Sequence, residues 1–126
     1  MDDRDFPPDF FYRAVETVGV GVAAYDQSGR YRYVNQRYAD LFDADPAELV
    51  GEALWDVVSA FDADRFDDYW DSFDPYETRV DETAHEYNGQ RVAVEAVTTA
   101  QPFDDGHVHF GTVRDITERR QRERTL

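Results

Sequence analysis

Two histidines near the end of the chain have a spacing that can support metal chemistry. His107 and His109 are two residues apart on a predicted strand, so their side chains share one face of it. Such a pair can bind a metal ion when a carboxylate completes the site. The alternative is one exposed and one packed histidine near the start of a strand. We favour that alternative, and we expect no metal site and no catalytic residues.

The acidic residues are a second place where cations can gather. The segment 62–74 is rich in Asp, but it lacks the fixed ligand spacing of a calcium loop. The chain has 28 acidic and 13 basic residues and a net charge of −15, and every basic residue is arginine. This pattern is typical of a salt-adapted surface that stays hydrated in concentrated salt. We therefore expect a halophilic protein without a nucleic-acid partner, since phosphates would be repelled.

Length and composition indicate one domain with one core. The chain has 126 residues, of which 41% are hydrophobic and 15% aromatic. No apolar run approaches the ~20 residues of a membrane span, and the acidic N-terminus has no signal region. We expect a cytoplasmic domain with no direct membrane contact. Cysteine is absent, which excludes disulfides, thiolate metal sites and cysteine nucleophiles.

Turn and cap residues set the order of the elements that would position any site. After a flexible lead-in over residues 1–9, apolar residues at helical spacing predict a helix over 10–18. Turns at 26–29 and at Asn88-Gly89 predict two β-hairpins, and a turn at 103–106 leads into a last strand. Helix starts at Asn35, Asp45 and Asp62 lie between the hairpins. The order predicts an α+β fold: a five-stranded antiparallel sheet with short helices inserted between strands 2 and 3.

The C-terminal run Thr112–Arg120 joins a strand directly to a charged helix. Asp115 and Glu118 have capping-box spacing, so Asp115 can satisfy the first free amides of that helix. Together with Tyr33-Val34-Asn35 and Glu48-Leu49-Val50-Gly51, this run resembles a PAS sensor domain, whose last strand typically ends in a D-I-T motif. The resemblance covers about residues 10–120.

The resemblance implies a division of the chain into a domain and an output element. The domain spans 10–115, and residues 116–126 begin an output or linker helix. The signal-coupling residues are Asp115, Ile116 and Thr117. This helix has few apolar positions and would be marginal alone in water. We expect it to continue as a coiled coil into the output domain of a histidine kinase or transducer-like protein, and hence a role in signal transduction within a two-component system.

The resemblance also implies a ligand cavity between the inner sheet face and the short helices. Strand alternation selects which side chains point into it. The expected ligand-binding residues are mainly apolar and aromatic, with three polar groups: Tyr25, Phe42, Leu54, Val57, Phe66, Trp70, Thr98 and His109. Small residues at Ala23, Ala96 and Ala100 leave volume for a ligand. The alternative is that these residues fill the core and leave no void.

Residue types that are missing from the chain and from its inner positions argue against several classes of ligand. Haem-binding relatives often use a histidine on the helix matched by 62–73, and this segment has none. Flavin-binding relatives place amide side chains where this chain has Ala96 and Val113. Without cysteine, no thiol-attached chromophore is possible. We expect no covalent cofactor, neither haem nor flavin, and a small aromatic or heteroaromatic ligand. A large or charged ligand is disfavoured, because no arginine is placed inward to pair a carboxylate or phosphate. Arg79 is the weakest exclusion, since its strand register is uncertain.

Three functions remain open at this point. The first is a non-enzymatic sensory domain that relays a ligand-dependent change to the C-terminal helix. The second is a ligand-free dimerisation or protein-interaction module, and the third a small α+β enzyme using His109 and an Asp. An apolar helix over 10–18 and an outer sheet face with Val20, Val22 and Val97 predict a homodimer through these two surfaces.

Overall fold

The computed structural model describes residues 9–58, 62–104 and 106–125 and forms a sheet covered by helices. Five antiparallel strands lie in the order β2-β1-β5-β4-β3. The strands are β1 (Gly21–Tyr25), β2 (Tyr31–Val34), β3 (Thr78–Tyr87), β4 (Gln90–Phe103) and β5 (Gly106–Asp115). The helices are α1 (Phe10–Thr17), α2 (Gln36–Asp40), α3 (Pro46–Leu49), α4 (Ala63–Asp71) and α5 (Thr117–Thr125), with a 3-10 turn at Leu54–Asp56. The predicted fold class is confirmed, including the helices between strands 2 and 3.

Some predicted features fall outside this description. Residues 1–8 of the predicted lead-in, Ala60 and Leu126 lie outside the described residues, as does the side chain of Phe11. Among the residues that are described, no helix has both the length and the apolar character needed to cross a lipid bilayer.

Asn35 connects three elements at one end of the sheet. Its Oδ1 accepts hydrogen bonds from the Tyr38 amide (3.0 Å), which caps α2, and from the Val22 amide on β1 (2.9 Å). Its Nδ2 donates to the Val15 carbonyl at the end of α1 (2.9 Å). The residue is fully buried, so each of these bonds satisfies a group that has no access to water. The sequence identified the cap, and the structure adds the two contacts to other elements.

The core lies between the inner face of the sheet and the helices that follow β2. Alternate residues of β1, including Ala23 and Tyr25, point inward, as the burial pattern of that strand shows. The helical side contributes Tyr38, Phe42 and Phe66, all almost completely buried. The outer face carries exposed apolar side chains, among them Val80, Phe103 and Phe110. Helix α1 lies against β2, where Tyr12 meets Tyr33 edge to face and Glu16 accepts from the Tyr33 hydroxyl.

Strand β5 continues into α5 without a loop. Ile116 between them is buried, and its amide donates to the Ala93 carbonyl on β4 (2.9 Å). Asp115 Oδ1 accepts from the Thr117 amide (2.8 Å), which confirms that this carboxylate satisfies the start of the helix. The predicted capping box does not form, because the helix begins only at Thr117. The Glu118 carboxylate is directed to Arg122, with Oε1 3.7 Å from Nη1.

Candidate functional site

A cavity of about 410 Å³ lies between the inner sheet face and the helices. All five strands contribute to one wall, and α2, the 3-10 turn region and α4 form the other. Its lining is Ala23, Tyr25, Tyr31, Tyr38, Leu54, Val58, Tyr69, Arg79, Asp81, Glu82, Thr83, His85, Ala96, Thr98 and residues 110–113. The exposed residues of this set are Asp81 and Glu82 on edge strand β3 and Phe110 and Thr112 on β5. Asp81 lies on the inner face of β3, so the cavity opens at that edge of the sheet.

The cavity exists because the strands carry small residues at its centre. Ala23, Ala96 and Gly111 face the void, and none of them has a side chain long enough to cross it. A Cβ at position 111 would lie 1.7 Å from the Val97 carbonyl oxygen, so a larger residue there requires β4 to move. The expectation that small residues leave volume holds for Ala23 and Ala96. Ala100 is buried beyond the cavity and does not line it.

One group of polar side chains in the cavity wall is a hydrogen-bonded chain of three residues. The Tyr31 and Tyr38 hydroxyl oxygens are 2.9 Å apart, and the Tyr38 hydroxyl is 2.9 Å from His85 Nδ1. Burial raises the pKa of both tyrosines above the usual value. Burial also lowers the pKa of His85 to about 4, because the imidazolium form would lose its hydration. All three groups are therefore uncharged near neutral pH.

A second hydrogen-bonded chain lies beneath α4. His109 Nδ1 is 3.2 Å from the Tyr25 hydroxyl, which donates in turn to the Tyr69 hydroxyl (3.2 Å). The His109 ring stacks on Trp70, with ring centres 4.0 Å apart and planes inclined by 14°. Burial, followed by the positive charges of His107 and Arg79, lowers the pKa of His109 to about 4. Tyr25 and Tyr69 line the cavity. His109 is not part of the lining and bonds to the Tyr25 hydroxyl.

Arg79 closes one side of the cavity opening and is itself held by several partners. Its Nε donates to Glu77 Oε2 (2.7 Å), and its Nη2 donates to the Ser72 carbonyl at the end of α4 (2.8 Å). The guanidinium carbon also lies 3.8 Å from the centre of the Phe73 ring. The Arg79 side chain therefore lies on the inner face of β3. Its guanidinium donors are already bonded to Glu77 and to Ser72, and the bond to Ser72 connects β3 to α4.

The structure brings together only part of the predicted ligand-binding set. Tyr25, Leu54 and Thr98 line the cavity. The other five predicted residues are in the structure but not in the lining, because they pack against one another and the sheet: Phe42, Val57, Phe66, Trp70 and His109. The predicted coupling residues Asp115, Ile116 and Thr117 lie together at the junction of β5 and α5.

Reasoning from the sequence missed several lining residues, and the aromatic ones among them are Tyr31, Tyr38, Tyr69, His85 and Phe110. Tyr69 had a usable signal, since it lies three residues after Phe66 and so near the predicted apolar face of α4. Tyr38 follows the Asn35 cap by three residues, which places it in the first turn of α2. His85 depended on the register of β3, which the sequence left uncertain.

The lining of this cavity combines a few polar groups with an apolar surface. Its wall offers phenol, hydroxyl and imidazole groups over an otherwise apolar surface, the usual make-up of a small-molecule pocket. Within the described ranges, no three His, Asp or Glu side chains are close enough to hold a metal ion. His107 is exposed and His109 buried, which is the alternative that the sequence favoured for this pair.

Comparison with known proteins points to one family. A family model described as PAS fold matches residues 15–121. The PAS domain of an HTR-like protein from Haloarcula marismortui has 23% identity and a TM-score of 0.77, over 84% of this chain and 94% of that one. The PAS domain of nitrogen regulation protein NR(II) from Vibrio parahaemolyticus has 14% identity and a TM-score of 0.68, over 85% and 98%.

A third similar structure is the PAS domain of a two-component sensor histidine kinase. It has 14% identity and a TM-score of 0.68, over 85% of this chain and 94% of the other. At these identities the similarity concerns the fold. Comparison with curated protein sequences finds no significant match.

Proposed function

The chain belongs to the PAS fold family, whose members act as sensory domains in signalling proteins, and we propose that it senses a small organic molecule. The observation that carries this proposal is the cavity of about 410 Å³ on the inner sheet face. Its volume falls in the ~300–1,000 Å³ range of small-molecule sites. A domain that serves only as an interaction module has no need of such a void.

The lining favours a small aromatic or heteroaromatic ligand that is held without a covalent bond. The rings of Tyr25, Tyr31, Tyr38 and Tyr69 can make offset or edge contacts with an aromatic guest. Thr98 and His85 can add hydrogen bonds to a polar atom of that guest. We propose no haem and no flavin, for the reasons that the sequence provides.

Two connections can carry a change in the cavity to α5. Strand β5 lines the cavity through residues 110–113 and leads directly to the buried Ile116. Strand β3 lines it as well, and its Glu82 pairs with Arg119 (2.8 Å) and Arg120 (3.3 Å) on α5. A ligand that favours one arrangement of β3 and β5 would therefore change the position or mobility of α5.

The names of the similar structures support a parent signalling protein for this domain. One is from an HTR-like protein and another from a two-component sensor histidine kinase. We propose that α5 leads into an output domain of comparable type. We propose no turnover, since His109, which the alternative enzyme hypothesis uses together with an Asp, is bonded to Tyr25 and packed against aromatic rings.

The decisive experiment is native mass spectrometry of the purified protein, with calorimetry against phenols and indoles. We expect bound ligand in the wild type, loss of binding in Ala96→Leu, and retained binding in Ala24→Leu. Ala24 is the matched control because it lies on β1 with its side chain on the opposite sheet face from the cavity. If the wild type carries no ligand and binds none of these compounds, the sensor proposal is wrong.

A second candidate function is supported by the outer sheet face. Val80, Phe103 and Phe110 are 61%, 63% and 42% exposed there, a larger apolar surface than so acidic a domain needs. A homodimer through this face and α1 would cover it. Sedimentation in molar salt tests this, since screening of the −15 charge favours association. A monomer under those conditions would contradict it.

A further inference from the structure

We propose that the ligand of this cavity is an organic cation whose ammonium group is held by tyrosine rings near Asp81. This inference rests on the proposed ligand-binding function and specifies the charge of the ligand. It follows from the charges at the opening of the cavity, from the rings in its wall, and from the charge of the whole domain.

At the cavity opening, the inner side has one more carboxylate than guanidinium groups. Asp81 lines the cavity two residues after Arg79, on the same face of β3, and has no ion-pair partner in the described part of the chain. The Arg79 guanidinium is already paired with Glu77 at 2.7 Å. Two carboxylates thus accompany one guanidinium, and the inner side of the opening keeps one negative charge.

Glu82 does not add to that charge. It lies on the other face of β3 from Asp81, where Arg119 and Arg120 hold its carboxylate. Among the described lining residues, Arg79 is the sole permanent cation, and its guanidinium is occupied by Glu77, Ser72 and Phe73. A ligand carboxylate or phosphate would have to displace these partners, whereas a ligand ammonium would not.

The rings of the cavity wall suit a cation as well. Tyr25, Tyr31, Tyr38 and Tyr69 all contribute to the lining. An ammonium group within about 6 Å of an aromatic ring centre is attracted by the negative face of the ring. The hydroxyl oxygens can also accept hydrogen bonds from ligand N–H groups. A neutral ligand of the same shape would gain the apolar contacts and lose this attraction.

The electrostatic field of the whole domain also favours a cationic ligand. A net charge of −15 raises the local concentration of cations at a cleft and lowers that of anions. Concentrated salt screens this long-range part, but contacts inside a partly enclosed cavity are screened much less. Selectivity for a cation that persists in molar salt would therefore have its origin in the cavity.

Three probes with the same phenol ring and different charge test the inference. Tyramine is a cation near neutral pH, para-ethylphenol is neutral, and para-hydroxyphenylpropanoate is an anion. Calorimetry in molar KCl should show tyramine binding about tenfold more tightly than para-ethylphenol. The anion should bind more weakly than both.

Two pairs of variants locate the selectivity. Asp81→Asn should weaken tyramine about threefold and leave para-ethylphenol unchanged. Asp68→Asn, the same charge change on the exposed face of α4, should alter neither. Tyr69→Leu should remove most of the preference for tyramine, whereas Tyr69→Phe, which keeps the ring, should retain it.

The outcomes separate this inference from the proposed function. If para-ethylphenol or the anion binds as tightly as tyramine, or if Asp81→Asn leaves the preference intact, the cation inference is wrong while a ligand-binding cavity remains. If none of the probes binds and native mass spectrometry finds no ligand, the proposed function falls together with the inference.

Discussion

The interior of the domain has two halves that use similar residues in different ways. The packed half lies beneath α4, where His109 is enclosed by Trp70, Phe73 and Tyr25. The open half is the cavity along β3, where Tyr31, Tyr38 and His85 form a comparable tyrosine–histidine chain in the wall of a void. Each half contains a histidine bonded to a tyrosine, and His85 lines the cavity whereas His109 does not.

The difference arises from the residues that face these chains across the interior. In the packed half, α4 presents Phe66 and Trp70 to the sheet, and their rings fill the space. In the open half, the sheet presents Ala96 and Gly111, and both line the cavity that the described residues enclose. The comparison shows that the rings of Phe66 and Trp70 fill the packed half, whereas the small strand residues Ala96 and Gly111 leave space in the open half.

Removal of a ring from the packed half should have the largest effect on stability. Phe66→Ala should lower the free energy of unfolding by about 3–5 kcal/mol, because Phe66 is 2% exposed and contacts Tyr25, Trp55 and Trp70. Phe110→Ala on the outer face should cost less than about 1 kcal/mol. Urea denaturation in molar salt measures both. Equal losses would mean that the packed half is not the main source of stability.

Substitutions that add side-chain volume should destabilise the packed half more than the open half. Ala100→Leu forces extra methyl groups into the packed half, and overpacking should cost about 1–3 kcal/mol. Ala96→Leu points into the cavity and should cost less than about 1 kcal/mol while it blocks ligand binding. Thermal unfolding compares the two variants directly. The comparison would fail if Ala96→Leu were the more damaging of the two.

Acid should destabilise the domain through the histidines of both halves. Their pKa values are lowered to about 4, while an unfolded histidine titrates near 6.5. Between these values the unfolded chain binds more protons than the native state. The stability therefore decreases as the pH falls from about 6.5 to about 4, by at most ~1.4 kcal/mol per pH unit for one histidine.

Variants resolve the contribution of each half to this acid effect. His85→Phe and His109→Phe should each reduce the slope of stability against pH in that window, relative to wild type. His107→Phe removes an exposed imidazole whose charge contributes to the lowered pKa of His109, and it should therefore reduce the slope less than His109→Phe does. Denaturation midpoints measured across the window provide the slopes. An unchanged slope in either buried-site variant would show that its histidine is not held neutral by burial.

The smallest effect is expected where the open half meets α5. Glu82→Gln removes the partner of Arg119 and Arg120 and should increase hydrogen exchange of α5 amides about twofold to fivefold. Amides of β5 should be unaffected, since their bonds lie within the sheet. Glu118→Gln, which removes only the contact with Arg122 on the same helix, is the control. Unaltered exchange in α5 would mean that β3 does not hold the helix.

The fold could be predicted because its signals are local. The Asn88-Gly89 turn sets the β3–β4 hairpin, and Asp62 caps α4 by accepting from the Arg65 amide at 2.8 Å. Alternation along β1 and β4 correctly placed Tyr25 and Thr98 on the inner face. The sequence defines the start of α5 less clearly, because the Asp115 carboxylate and the Ile116 amide both make hydrogen bonds there.

The site could be predicted only in part, because inward orientation does not distinguish packing from lining. Phe66 and Trp70 point inward as expected, but each meets other rings. Tyr31 and Tyr38 become one hydrogen-bonded pair although they lie on different elements, and His85 joins them from a third. Nothing in the spacing of these residues along the chain indicates that they meet.

The sequence by itself determined the order of the elements, the ends of most of them and the inner face of the sheet. These follow from turns, caps and alternation, which act over a few residues. Only the tertiary structure decided which inner residues enclose the cavity and that the Arg79 guanidinium is paired with Glu77. It also decided that Asp81, at the cavity opening, has no ion pair with any of the described residues. Those outcomes depend on the volumes and charges of side chains from distant segments, which are compared with one another only when the chain has folded.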